Sequence, residues 1–139
     1  MNFEEQLDIY LRARFTLIIL VSPEEERALQ TIKNVCERTA RRCVTWDAAD
    51  GFSILSGNTA SLSPARDPLT CLEQVDQADG NQSALFVLKD FHDIWSNPQL
   101  KRKLRSVSQR LKFTKKSILI TAINNQVPEE LKDEAVLID

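Results

Sequence analysis

Phe15-Thr16-Leu17-Ile18-Ile19-Leu20-Val21, followed by Ser22-Pro23-Glu24-Glu25-Glu26, is the stretch that decides the fold. The first part is free of charge, rich in β-branched and aromatic residues, and shows no polar alternation. That pattern reads as a strand covered on both faces. The second part reads as a helix start, with Ser22 as the cap, Pro23 in the first helical position and Glu25 three residues beyond the cap. A buried strand feeding a helix is the repeating unit of a parallel sheet.

Outward from this unit the same rhythm recurs. Upstream, residues 2–14 read as a helix with Leu7, Tyr10, Leu11 and Arg14 on one face. Downstream, Ala28, Leu29, Ile32, Val35 and Cys36 keep helical spacing, and Cys43-Val44-Thr45-Trp46 is a short strand closed by Asp47. Residues 48–66 carry Gly51, Gly57, several Ser and Pro64, and read as a long loop of the kind that is usually functional. Its apolar residues Phe52, Ile54, Leu55 and Leu62 either form a mobile recognition surface or pack on the body as a small hairpin beside the second strand.

Asp67-Pro68 opens a third helix reaching toward Gly80, with Leu69, Leu72 and Val75 on one face. Ala84 to Leu88 is another buried strand, and Asn97-Pro98 caps a fourth helix carrying Leu100, Leu104, Val107 and Leu111. Ser117 to Ile123 and Ala135 to Ile138 complete the strands, with a helical turn at Pro128 to Leu131 between them. The pattern predicts one α/β domain over residues 1–139, three layers deep (α/β/α), around a mostly parallel five-stranded sheet. Because the chain stops at its last strand, a fragment of a longer protein is expected.

Composition narrows the function. The 42% apolar content over 139 residues suits one core, and no apolar run reaches the ~18 residues that span a bilayer. The first residues show neither a basic stretch nor an apolar one after it, so no secretory signal is read. The net charge of -2 gives no overall attraction to nucleic acid or membrane. Cys36, Cys43 and Cys71 form no Cys-x-x-Cys pair and the chain has one His, which argues against a zinc site and for buried free thiols.

Ligands of such folds sit beyond the carboxyl ends of the strands. A phosphate cradle after the first strand needs glycines and a lysine. Ser22 to Glu26 supplies neither, Pro23 lacks an amide donor, and three carboxylates crowd the positive end of the helix dipole. Asp90 and Asp93, at the end of the Ala84 strand, have the outline of magnesium ligands, but Lys89 stands beside them. His92 has no nucleophile at recognisable spacing and reads as a surface histidine. Asn124-Asn125-Gln126 after the next strand is turn chemistry or a water-orienting asparagine.

Together these elements resemble the AAA+ ATPases, a P-loop NTPase family. Leu85 to Asp90 is similar to the strand that ends in Asp-Glu in that family, with Lys89-Asp90 as a degenerate version. Ile118 to Leu131 is similar to the sensor strand and its exit, and Asn124 falls at the sensor position. Val44-Thr45-Trp46-Asp47 with Gly51-Phe52 resembles, more narrowly, the N-terminal region of AAA-family ATPases of cyanobacteria and algal plastids. The resemblance implies a P-loop-like topology without the helical lid. It implies an inactive domain with no catalytic residue, no metal and no cofactor of its own, and places ATP and Mg²⁺ with a module outside this chain. Partner recognition or assembly of a ring, in that family a hexamer, would be its role, in a cytoplasm or a plastid stroma. A Rossmann-type nucleotide domain shares the rhythm, but it too needs a glycine-rich first turn.

Charge supplies a further expectation. Lys101, Arg102, Lys103, Arg105, Arg110, Lys112, Lys115 and Lys116 follow one another with no acidic residue between them. The apolar face of this helix predicts Lys101, Arg102, Arg105 and Lys112 as an outward positive patch. A nucleic-acid site on helix 98–112 would want stacking aromatics, and only Phe113 is near. A protein or neighbouring subunit with an acidic surface is the expected partner, met by Arg102, Arg105 and Lys112, with Phe52 and Leu55 as a second contact.

Overall fold

The computed structural model describes residues 1–57, 62, 64–124 and 126–139. In chain order the elements are α1 (Phe3–Arg12), β1 (Leu17–Val21), α2 (Glu25–Arg38), β2 (Arg42–Asp47), β3 (Gly51–Ser56), α3 (Pro68–Gln77), β4 (Ala84–Lys89), α4 (Pro98–Leu111), β5 (Lys116–Ala122) and β6 (Ala135–Ile138). The strands form one six-stranded sheet in the order β3-β2-β4-β5-β1-β6. Every neighbouring pair is parallel except β2 with β3.

Side-chain alternation along the strands divides the interior in two. Leu17, Ile19, Phe86, Leu88, Ile118 and Ile120 point into one core with Cys71, Leu72 and Val75 of α3 and Leu104, Val107 and Leu111 of α4. Ile18, Leu20, Leu85, Val87 and Leu119 point into the other, with Leu7 and Leu11 of α1 and Ala28, Ile32, Val35 and Cys36 of α2. The three-layer α/β/α architecture is therefore as expected. Two polar bonds pin β1 at its ends. The Thr16 hydroxyl donates to the Ser108 carbonyl at 2.9 Å, and the Ser22 N–H donates to the Ala122 carbonyl at 3.1 Å.

The sixth strand corrects the expected five. Residues 51–56, read as loop, form β3, which folds back antiparallel on β2 with Trp46 opposite Phe52 and Asp47 opposite Gly51. The tight turn explains why. Asp47 Oδ1 accepts the N–H groups of Ala49 and Asp50 at 2.9 and 2.7 Å, and Gly51 adopts φ 74. A Cβ on Gly51 would meet the Ala65 carbonyl oxygen at 3.2 Å. Phe52 and Leu62 pack partly buried on one core and Leu55 on the other, while Ile54 stays 61% exposed. The hairpin, of the two alternatives, is what forms. Residues 58–61 and 63 of the expected loop lie outside the described residues.

Helix ends also differ in register. Asp67 and Asn97 cap α3 and α4 as expected, accepting from Thr70 N and Leu100 N at 3.0 and 3.1 Å, although α3 ends at Gln77, short of Gly80. Ser22 does not cap α2. Its N–H continues the strand ladder, its hydroxyl accepts from Glu24 N at 3.2 Å, and the helix begins at Glu25 with Glu24 in the cap position. Helix α1 stops at Arg12, and Phe15 lies outside β1, 41% exposed, edge-on to Tyr10 with ring centroids 5.3 Å apart.

Helices α1 and α2 close with the same paired bonds. Phe15 N–H reaches the Tyr10 carbonyl and Arg14 N–H the Leu11 carbonyl; Arg41 N–H reaches Cys36 and Ala40 N–H reaches Glu37. Such a Schellman closure places one residue in left-handed backbone, usually glycine. Here Arg14 (φ 63) and Ala40 (φ 56) take that place. Ala40→Gly is expected to stabilise the chain by about 0.5–1 kcal/mol, the relief of the Cβ clash less the added chain entropy. A thermal or urea midpoint lower than that of the unsubstituted chain would contradict this.

Candidate functional site

The carboxyl ends of β2 and β4, with the first turns of α2 and α3, enclose a cleft of about 440 Å³. Glu25, Asp47, Asp50, Lys89, Asp90 and Asp93 line it, with Trp46 and Phe91 at its base. In volume it is large enough for a nucleotide. In charge it is not suited to one, because five carboxylates face a single ammonium. A like charge at 4 Å costs a phosphate between about 1 and 4 kcal/mol, depending on how much water intervenes.

Lys89 belongs to its own protein's carboxylates: its Nζ lies 3.9 Å from Glu25 Oε1, bridging β4 to the start of α2. Asp90 takes left-handed backbone (φ 57), which Asp tolerates better than most residues. Its N–H donates to Thr121 Oγ1 at 3.3 Å and its carbonyl accepts from Asp93 N, opening the 3-10 turn Phe91–Ser96. The Asp-Glu-like strand end is thus a structural junction between β4, β5 and that turn. Among the described residues no group of three or more His, Cys, Asp or Glu side chains is placed to hold a metal ion.

Asn124 does not line this cleft; its side-chain oxygen accepts from Gln126 N at 3.0 Å, the turn chemistry of the two alternatives. His92 is not a surface residue, as its side chain is only 10% exposed. It lies in the 3-10 turn beside the buried Phe91, with Nδ1 buried and without a hydrogen-bond partner. Cys36, Cys43 and Cys71 are buried free thiols.

The basic helix is also corrected. Lys101 Nζ lies 3.4 Å from Glu130, Arg110 embraces Asp76 with contacts of 2.9–3.2 Å, and Lys112 Nζ lies 3.1 Å from Glu134. Arg105 is half-buried, with Nε enclosed. Lys116 is 2% exposed and donates to the carbonyls of Val75, Asp76 and Ala78 at 2.7, 2.9 and 2.7 Å, closing the end of α3. Much of the expected patch therefore neutralises acids distant in sequence, and of Arg102, Arg105 and Lys112 only Arg102 combines exposure with no ion pair among the described residues. Phe52 and Leu55 lie on opposite faces of β3 and do not join it in one surface.

The parallel strands run β2-β4-β5-β1-β6, with the first strand between the fourth and the last, as in the P-loop class. A Rossmann sheet would set β1 beside β2, so that alternative is excluded. Two solved structures share the fold: one described as a DNA replication initiation factor (TM-score 0.57, 13% identity, 97% of this chain and 44% of that one), and AMPPCP-bound DnaA from Aquifex aeolicus (TM-score 0.54, 13% identity, 97% and 45%). The class is AAA+.

Within it, the chain belongs to the SpoVK-like AAA ATPase N-terminal domain family, whose model matches residues 3–139. Similar curated proteins are the AAA domain-containing proteins ycf46 of Trieres chinensis, 33% identical over 96% of this chain, and of Guillardia theta, 30% identical over 99%. The chain spans 27% of the length of each.

Proposed function

We propose that this domain is a non-catalytic platform that presents partners to, or helps assemble, an ATPase module elsewhere in the parent protein. The observation that supports this most directly is the acidic cleft at the carboxyl end of the sheet, where Glu25 and Lys89 are committed to one another. A domain with the strand order of a nucleotide-binding fold, but with carboxylates where phosphates would sit, is suited to binding protein. Arg102, exposed on α4, is the side chain best placed to meet an acidic partner or neighbouring subunit. The parent is expected to be an oligomeric ATPase of a cytoplasm or plastid stroma. Among the described residues no helix is long and apolar enough to cross a membrane.

Two measurements test this reading. Titration of the chain with ATP or ADP, with and without Mg²⁺, is expected to give no heat at millimolar nucleotide, whereas a low-micromolar dissociation constant would overturn the non-catalytic assignment. For the second, Arg102→Glu in the full-length parent is expected to weaken oligomerisation or partner capture at ordinary salt while leaving the fold intact. Reversal at Arg105 would confound this with unfolding, since that side chain is half-buried. Unchanged assembly and capture would reduce the patch to a solvated helix face.

A further inference from the structure

The opposite pole of the sheet has the opposite charge. A pocket of about 310 Å³ opens there, lined by Arg12, Arg14, Arg41, Lys115, Ser83 and Thr114, with no carboxylate among its lining residues. The parallel topology gathers them, since Arg14 precedes β1, Arg41 precedes β2, Ser83 precedes β4 and Lys115 precedes β5. Backbone bonds fix the rim: Arg41 N–H to the Cys36 carbonyl at 2.8 Å, Lys115 N–H to Gly80 at 2.9 Å, and Ala84 N–H to the Lys115 carbonyl at 3.2 Å.

Basic residues at helix C-termini often do no more than offset the helix dipole. That accounts for Arg12, which also pairs with Asp8 at 3.3 Å. It does not account for Arg41, whose Nε is buried without a hydrogen-bond partner. Burial lowers the Arg41 pKa, against the opposing effects of Cys36 and Asp8, with a smaller lowering from the Arg14 charge. Arg14 and Arg41 line the pocket together. Arg14 keeps that place in left-handed backbone where glycine is usual, and strain of this kind collects at binding sites.

The geometry points to a phosphate-binding pocket at the amino end of the sheet, in which Arg14, Arg41 and Lys115 hold a phosphate dianion, free or at the end of a monoester. Three cations match a charge of about -2 better than the single charge of a carboxylate. Arginine forks suit the tetrahedral oxygens. The inference is independent of the platform reading, because it concerns the other pole of the sheet and its test involves no nucleotide.

The test is a titration of the 139-residue chain with inorganic phosphate at constant ionic strength, followed by calorimetry and by amide shifts. Saturable one-to-one binding with a dissociation constant of about 1 mM or tighter is expected, with shifts at residues 83–84 and 114–117. Arg14→Gln and Arg41→Gln are each expected to weaken it about tenfold, the loss of one charge-assisted contact, whereas Arg102→Gln leaves it unchanged. Arg14 is exposed and outside both cores, so its variant keeps the test valid if Arg41→Gln fails to fold. O-phosphoserine displacing phosphate would identify a phosphorylated chain as the source; its exclusion would identify the free ion. Non-saturating binding, or equal weakening in all three variants, overturns the proposal.

Discussion

Replacing Trp46 with alanine is expected to lower the unfolding free energy by about 3–5 kcal/mol, the usual cost of deleting a large buried aromatic. Trp46 is 2% exposed at the end of β2 and meets Phe91 edge to face, with centroids 5.4 Å apart. Its Nε1–H donates to the Ala65 carbonyl at 2.7 Å, tying the segment that follows β3 to the body. The substitution opens a cavity and releases that segment together. Trp46→Phe keeps most of the packing and loses the bond, at about 1–2 kcal/mol. Urea denaturation separates the two variants, and tryptic cleavage at the exposed Arg66 reports the released strap. A loss under about 1 kcal/mol for alanine, well below the cavity range, would contradict this account of the β2 end.

Lys116→Met is expected to cost about 3 kcal/mol despite the close match in shape, because three carbonyls in and just after the last turn of α3 lose a charged donor. The effect depends on pH with a definite sign. Burial lowers the Lys116 pKa below its ordinary 10.5, against the opposing charges of Asp76 and Asp79. The unfolded chain therefore holds the proton to higher pH than the folded one, so this group adds stability as pH rises through its folded value toward 10.5. The methionine variant lacks that gain, and the gap between the two unfolding curves should widen as pH approaches 10.5. A constant gap across that range would mean the ammonium is solvated.

Much of this fold is legible in local patterns. The β1, β4 and β5 runs are continuous and apolar because helices cover both faces, and Asp67 and Asn97 mark helix starts through side-chain bonds made within three residues. Strand β3 was hidden by its composition. Gly51 and Ser53 resemble loop residues, and what makes them a strand is the Asp47 turn and pairing with β2. Ser22 has the composition of a cap, but the helix begins only at Glu25 and the Ser22 hydroxyl closes a local turn onto Glu24 N instead. The ion pairs of α4 were invisible because Asp76, Glu130 and Glu134 reach it only through tertiary folding. The acidic cleft was anticipated in part, from Ser22 to Glu26 and from Lys89-Asp90. The basic pocket was not, because Arg14, Arg41 and Lys115 carry no shared motif and meet only at the foot of three strands.

Leu17-Ile18-Ile19-Leu20 reads almost the same in both directions and is equally greasy above and below the sheet. A one-residue slip of β1 would exchange its two faces while still burying aliphatic side chains of the same size in each layer. Hydrophobicity therefore chooses no alignment for this strand. The choice falls to Thr16 against Ser108 and Ser117 against Phe15, side-chain bonds at the strand's amino end that would be lost on slipping. The alignment of this greasy strand is set by hydroxyl groups at its border.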